Sequence, residues 1–418
     1  MNHHTRIVSS LVLALAALPI APTQLLAQAS QSAVTYLVTV DKTQNGTLTI
    51  TPSLPADGKV AAGTVLNLVA KPATGFALDS GYYTTPGPWG RAYHEFPETQ
   101  FRVTVDQNKS VGASFIEEKS VAGYNTIQNV VYAQPGAKQL KYDVYRPNGA
   151  KNLPCIVIIH GGGWTSNDED VMRGLARELV RPGRYVVIST DYRWLGTKDG
   201  DKTPNSMANL LEDVYGAIAH VQEHAADYGV DPTRIAVTGD SAGGHLSAAA
   251  INFVDQIGDE GFGVKEGVYQ FKPTYLPKGK TSAQVRQELL KAIKVAAPSY
   301  GVFGGTMLGG GGRRGTQSEG ALRAVAPLDH IPSLKDRAVP QLLLRGTADG
   351  LIQDAAVQAY ADALKALGQR VEYVQVSGAG HAFFDWKPED GVKATFEKYG
   401  VPYAARMQAF FDSVIYAK

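Results

Sequence analysis

Gly239-Asp240-Ser241-Ala242-Gly243 sets a serine hydroxyl between a strand-like run, Arg234 to Thr238, and a helix-like run that opens at Ala242. A serine on so sharp a turn has strained backbone angles, and neighbours without a Cβ are needed where the helix crowds the strand. Gly239 and Gly243 meet that need. The turn lifts the Ser241 hydroxyl into a cleft and aims a helix N-terminus at it, which suits nucleophilic attack on a carbonyl carbon. A second element, His160-Gly161-Gly162-Gly163-Trp164, directly follows the apolar run Cys155 to Ile159. Its glycines let backbone N–H groups turn inward, and fixed N–H donors are what a tetrahedral oxyanion requires. The two motifs together read as acyl-transfer chemistry.

The elements that must hold these residues change character along the chain. From Val34 to Phe115, period-2 runs such as Tyr36 to Val40, Gly46 to Ile50, Thr64 to Ala70 and Phe101 to Val105 are separated by Asn-Gly, Asp-Gly and Pro, the pattern of a small all-β module. After a link at Glu117 to Ala122, strands alternate with helices, as a mostly parallel sheet requires. Strands are expected at Pro154 to Ile159, Tyr185 to Thr190, Arg234 to Thr238, Ile293 to Ala297, Gln341 to Leu344 and Val371 to Val376. Helices are expected at Asn205 to Ala225, Ala242 to Phe253, Asp354 to Leu367 and Pro402 to Tyr416. At the start, Arg6, an apolar run from Ile7 to Leu18, Pro19 and the Ala27-Gln28-Ala29 site predict a signal peptide cleaved after Ala29 and a secreted or periplasmic protein. The expected division is residues 1–29 signal peptide, 30–118 β module and 119–418 α/β domain.

HGGGW, DYRW, GVDPTRIAVTGDSAGGHLSAAA, RGTADGLI and GAGHAFF resemble the α/β-hydrolase carboxylesterases of the hormone-sensitive-lipase and bacterial feruloyl-esterase type. The resemblance implies an α/β-hydrolase fold with Ser241 as nucleophile, Asp349 and His381 as its partners, and Gly162, Gly163 and the N–H of Ala242 as the oxyanion hole. It implies esters as substrates, feruloyl, acetyl or other polysaccharide-linked esters or polyesters, with no cofactor. The residues themselves point to the same acid and base. Chain order in this fold is serine, acid, histidine, each on a loop after a strand, and Asp349 and His381 follow the runs at Gln341 and Val371. The rival acid, Asp354, reads as a helix N-cap. The earlier segments NGTLTITP, GTVLNLVAKPATGF and FRVTVDQNKSVGASF resemble the internalin B-repeat-like bacterial repeat. That module carries no Ser, His and acid set of its own. It is therefore expected to be dispensable for chemistry and to assist on a polymer or polysaccharide surface, with Tyr82, Tyr83 and Trp89 available to stack.

Composition narrows the partners. With 40 Lys and Arg against 39 Asp and Glu and a net charge of +1, no basic stripe marks a nucleic-acid surface, and no second apolar run reaches membrane length. Cys155, the one cysteine, has no partner for a disulfide. His220 to His224 fits H-x-x-E-H, but the helical wheel turns both histidines away from the apolar face, so no metal is expected. The Gly310 to Gly315 spacing lacks the lysine of a phosphate loop. His245, His330 and His160 read as structural. Trp164, Tyr192, Trp194, Phe383 and Phe384, with Trp386, are expected to wall the ester site, and the long segment 255–292 to form its lid or rim. Two other classes fit the same residues: a peptidase or amidase on the same triad, and a surface adhesin with an inert hydrolase domain.

Overall fold

The computed structural model describes residues 34–88, 90–265, 268–304, 308 and 319–417. The signal-peptide segment, Trp89 and the Gly310 to Gly315 run lie outside the described residues.

The first eight strands are β1 (Thr35–Val40), β2 (Gly46–Thr51), β3 (Lys59–Ala61), β4 (Val65–Pro72), β5 (Phe76–Gly87), β6 (Gly90–Phe96), β7 (Gln100–Thr104) and β8 (Lys109–Glu117). They form a five-stranded sheet, β3-β1-β8-β5-β6, and a three-stranded sheet, β2-β4-β7. Alternation explains the arrangement. In β4, Leu66, Leu68 and Ala70 turn inward while Val65, Asn67 and Val69 face out, so one side of the strand is apolar and finds Val38, Phe101, Val103, Val111 and Phe115 across a shared core. Tyr82 to Gly87 form one arm of a long β5–β6 hairpin, in register from Gly81 opposite Phe96 to Gly87 opposite Gly90. Prolines at 86 and 88 disguise it, since Pro is confined to edges and ends of strands, and here both lie at the hairpin tip.

A short turn, Glu118–Ser120, leads into the second sheet. Its strands are β9 (Tyr124–Ala133), β10 (Leu140–Pro147), β11 (Leu153–Ile159), β12 (Val186–Thr190) and β13 (Val230–Asp240), then, past a small β14 (Gly261–Lys265) and β15 (Val268–Gln270) hairpin, β16 (Ile293–Ser299), β17 (Gln341–Gly346) and β18 (Val371–Val376). The order is β9-β10-β12-β11-β13-β16-β17-β18. β9 and β10 pair antiparallel, β10 pairs antiparallel with β12, and every pair from β12 to β18 is parallel. A parallel sheet is covered on both faces, which is why Cys155 to Ile159 in β11 are wholly apolar and wholly buried. Burial pushes the Cys155 thiol far above its ordinary value, so it packs as a small apolar side chain. The helices Arg173–Val180 and Val401–Ile415 pack on each other and on this sheet, and Met207–Glu223 and Ala242–Asn252 form a second packed pair. This is an α/β-hydrolase fold preceded by a β-rich region. No helix among the described residues is long and apolar enough to cross a membrane.

The described part of segment 255–292, expected as a lid or rim, supplies none of the residues that line the cleft containing Ser241. Phe271 stacks on Phe253, and Tyr269, Lys272 and Thr274 hydrogen-bond to Glu212 and Asp213, so the described part of the segment braces the helix Met207–Glu223.

Candidate active site

Ser241 sits between the end of β13 and the helix Ala242–Asn252 with φ 52° and ψ −112°, a conformation a non-glycine residue occupies only when its surroundings over-determine it. Its backbone N–H donates to Ser299 O at 3.0 Å and its carbonyl accepts from His245 N at 3.1 Å. The flanking glycines have the expected cause: a Cβ on Gly243 would come 1.9 Å from Ile159 O, and one on Gly239 would come 2.4 Å from the same oxygen.

From Ser241 a hydrogen-bonded chain runs through the loops after β18 and β17. His381 Nε2 lies 2.9 Å from Ser241 Oγ, and His381 Nδ1 lies 2.8 Å from Asp349 Oδ2. The other oxygen, Asp349 Oδ1, accepts from the N–H groups of Leu351 (2.8 Å) and Ile352 (2.9 Å). Burial pushes the Asp349 carboxyl up, but the hydrogen bond from His381 and those backbone donors outweigh it and hold the group below its ordinary value. With Asp349 ionised, Nδ1 carries the proton and Nε2 is free to accept the serine proton. Asp354 is not part of this chain. It is the first residue of the helix Asp354–Ala366, one position past the expected N-cap, and its carboxylate accepts from Tyr373 (2.6 Å) and Gln375 (2.8 Å).

Gly162 and Gly163 line the same cleft as Ser241, with φ +120° and +61°, angles that favour glycine. Ala242 opens the helix directly after the serine. Asp240, which sequence reasoning passed over, holds this arrangement: its Oδ1 accepts the Gly161 N–H at 2.6 Å, tying the elbow to the glycine loop. Burial and the neighbouring Asp385 carboxylate push Asp240 well above its ordinary value.

Of the aromatic residues expected to wall the site, only Trp194 lines the cleft. Trp164 is buried and donates to His245 Nδ1 at 3.2 Å. Tyr192 is buried, stacks on His160 and donates to His160 O at 2.9 Å. Phe383 and Phe384 are buried around Tyr300, behind the histidine loop rather than in front of it. Trp386 turns the other way, towards the β module. The cause is common to all five: a large ring gains most by burying its area against neighbouring side chains, with the Trp and Tyr polar atoms finding partners there.

The other histidines are occupied. His245 Nε2 donates to Val325 O (2.8 Å), and burial lowers the ring to about 4. His160 contacts Gly161 O (2.6 Å) and Asp191 Oδ1 (3.3 Å), and His330 contacts Arg323 O (2.9 Å). His220 is buried, not turned outward as the helical wheel had it, because Tyr142 reaches its Nδ1 at 2.7 Å. Among the described residues no group of three His, Cys, Asp or Glu side chains is placed to hold a metal ion.

The opposite wall comes from the β module. Thr85, Pro86, Arg91, Tyr93 and His94 of the β5–β6 hairpin line one cleft of about 730 Å³ with Ser241 and His381. Of the rings expected to stack on a surface, Tyr82 is buried with its hydroxyl on Asp41 (3.1 Å) and Tyr83 is stacked on His94, while Trp89 lies outside the described residues. Behind the hairpin, Asp79 is fully enclosed and pairs with Arg173 (2.9 Å) and Arg177, while Trp386 Nε1 and Ser114 Oγ each donate to it at 2.9 Å. Glu95 adds a second ion pair to Arg173 at 2.5 Å. Burial works against the Asp79 charge, but Arg173, Arg177 and Lys393 outweigh it and hold the carboxyl well below its ordinary value of 3.8.

Residues 142–268 match the BD-FAE family model, a segment that contains the glycine loop and the serine elbow. Carboxylic ester hydrolase LipN of Mycobacterium tuberculosis is 34% identical over 36% of this chain and 43% of its own length. Esterase LipQ of the same organism is 28% identical over 66% of this chain and 62% of its own. The chain thus spans less than two thirds of either relative. The apo form of Thermogutta terrifontis esterase 2 aligns at 26% identity over 69% of this chain and 96% of that one, with a TM-score of 0.48.

Proposed function

We propose that the protein is a serine carboxylic ester hydrolase. The observation that carries this reading is the unbroken hydrogen-bonded chain from Ser241 Oγ through His381 to Asp349, opening into a cleft that Gly162 and Gly163 also line. His381 Nε2 takes the hydroxyl proton as Ser241 Oγ attacks the ester carbonyl, and Asp349 holds the ring and stabilises its charged form. The N–H groups of Gly162, Gly163 and Ala242 receive the oxyanion. His381 then protonates the departing alcohol, and water repeats the attack on the acyl-serine with the same histidine as base. The named relatives are ester hydrolases, which supports the reaction class.

The finer reading is a secreted enzyme acting on feruloyl, acetyl or other polysaccharide-linked esters or on polyesters. It draws on the signal-peptide pattern and the family resemblance. Turnover of purified protein on p-nitrophenyl esters of rising chain length beside methyl ferulate tests it: hydrolysis that vanishes in Ser241→Ala is expected, and hydrolysis that survives the substitution contradicts the proposal.

A further inference from the structure

We infer that the β5–β6 hairpin of the β module is the far wall of the ester site and selects esters bearing a bulky, hydroxyl-rich group such as a sugar; this rests on the esterase reading above. The volume sets the scale. A cleft of about 730 Å³ falls in the range of roughly 300–1,000 Å³ that encloses drug-sized ligands, far beyond what an acetyl group fills.

The lining sets the chemistry. Arg91, Lys387 and Glu389 bring charge into the cleft, and Thr85, Tyr93 and Thr395 bring hydroxyls. A long alkyl chain would strip water from these groups and return nothing, whereas a polyhydroxylated group exchanges water for hydrogen bonds. Arg91 remains available for this. It pairs with Asp41 and lies 5.3 Å over the Tyr93 ring, yet 37% of its side chain stays exposed.

The wall is also fixed in place, as selection by shape requires. Tyr93 Oη donates to Glu389 at 2.9 Å across the cleft boundary, and Gln44 Nε2 donates to Asp390 at 3.2 Å. Behind it, Asp79 and Glu95 clamp Arg173 and Arg177, and Trp386, five positions after His381, donates to Asp79. The module is therefore part of the site's architecture and not a surface-binding appendage hung from it.

The test uses the full chain carrying Arg91→Ala, which removes a donor, or Thr85→Trp, which fills the cleft. Val69→Thr, on the exposed face of the other module sheet, serves as control. Each is assayed on p-nitrophenyl acetate and on a feruloylated arabinoxylo-oligosaccharide, and binding of the oligosaccharide is measured calorimetrically with Ser241→Ala added. The expected result is a loss of about tenfold or more in kcat/KM for the oligosaccharide, carried mainly by KM, with matching loss of binding. The acetate value should fall less than about threefold in the same variants, and the control should match wild type on both. An unaltered ratio between the two esters, equal losses on both, or oligosaccharide binding that ignores Arg91 and Thr85 would overturn the inference. If turnover fails to depend on Ser241, the esterase reading falls, and the binding arm still decides whether the hairpin is the wall.

Discussion

The two sides of the cleft are built by opposite means. On one side the reactive groups hang from the ends of parallel strands, where Ser241 is held at φ 52° by β13, by its bond to Ser299 and by glycines that nothing larger could replace. On the other side a hairpin from a separate sheet is held by charge, with Asp79 and Glu95 sunk against Arg173 and Arg177. The first construction depends on steric fit and local chain order. The second depends on partners far apart in the chain, Asp79 lying 94 and 98 residues from Arg173 and Arg177, and on Asp79 as the acid that both arginines share. The contrast teaches that one cleft can join a wall set by steric fit to a wall set by buried charge, so that each is open to a different substitution.

The sharpest way to break the first side is Asp349→Asn. It keeps the shape but offers His381 the wrong partner, and a loss on the order of 10⁴-fold in turnover is expected, measured on p-nitrophenyl acetate. A variant with wild-type turnover would remove Asp349 from the mechanism. On the second side, Asp79→Ala takes the carboxylate from the buried Arg177 guanidinium and from the Trp386 N–H, and leaves Arg173 with Glu95 alone. Breaking a buried pair from one side costs about 3–5 kcal/mol, which should appear as an early unfolding step that releases the module; a melting profile unchanged from wild type would refute the clamp.

Acid should reach the clamp by the same logic. Asp79 is depressed in the folded protein, so its contribution is fully present above the ordinary value of 3.8 and is lost as pH falls through the lower folded value. The wild type should therefore lose stability below pH 3.8 more steeply than Asp79→Asn, as melting temperature against pH would record, and parallel curves would contradict this. The smallest effect belongs to Asp354→Asn. Its partners are Tyr373 and Gln375, so turnover should stay within about twofold of wild type, and a large loss would reopen the choice of acid.

These expectations divide along the line between what was and was not legible in the sequence. The elbow, the glycine loop and the acid and histidine loops could be read because each is a local signal: a glycine where a Cβ would strike Ile159 O, a polar residue just past an apolar strand. The walls could not. Phe383 and Trp386 look like wall residues by proximity to His381, but a side chain's direction is set by what packs behind it, and Tyr300 and Asp79 come from far along the chain. The hairpin was hidden because prolines crowd its tip, Pro86 inside the last paired positions and Pro88 in the turn, so the end of a strand reads as a loop. Asp79 and Glu95 carried no signal, since an acid within a β module is ordinarily a solvated one.

The measurement that bears most directly on the whole account is covalent labelling with a sulfonyl fluoride, followed by peptide mass spectrometry and residual ester hydrolysis. An activated serine in this geometry should take up one equivalent on Ser241, lose activity in proportion, and show no response to chelators. Labelling of another residue, or activity that survives full modification of Ser241 or vanishes in EDTA and returns with zinc, would contradict it.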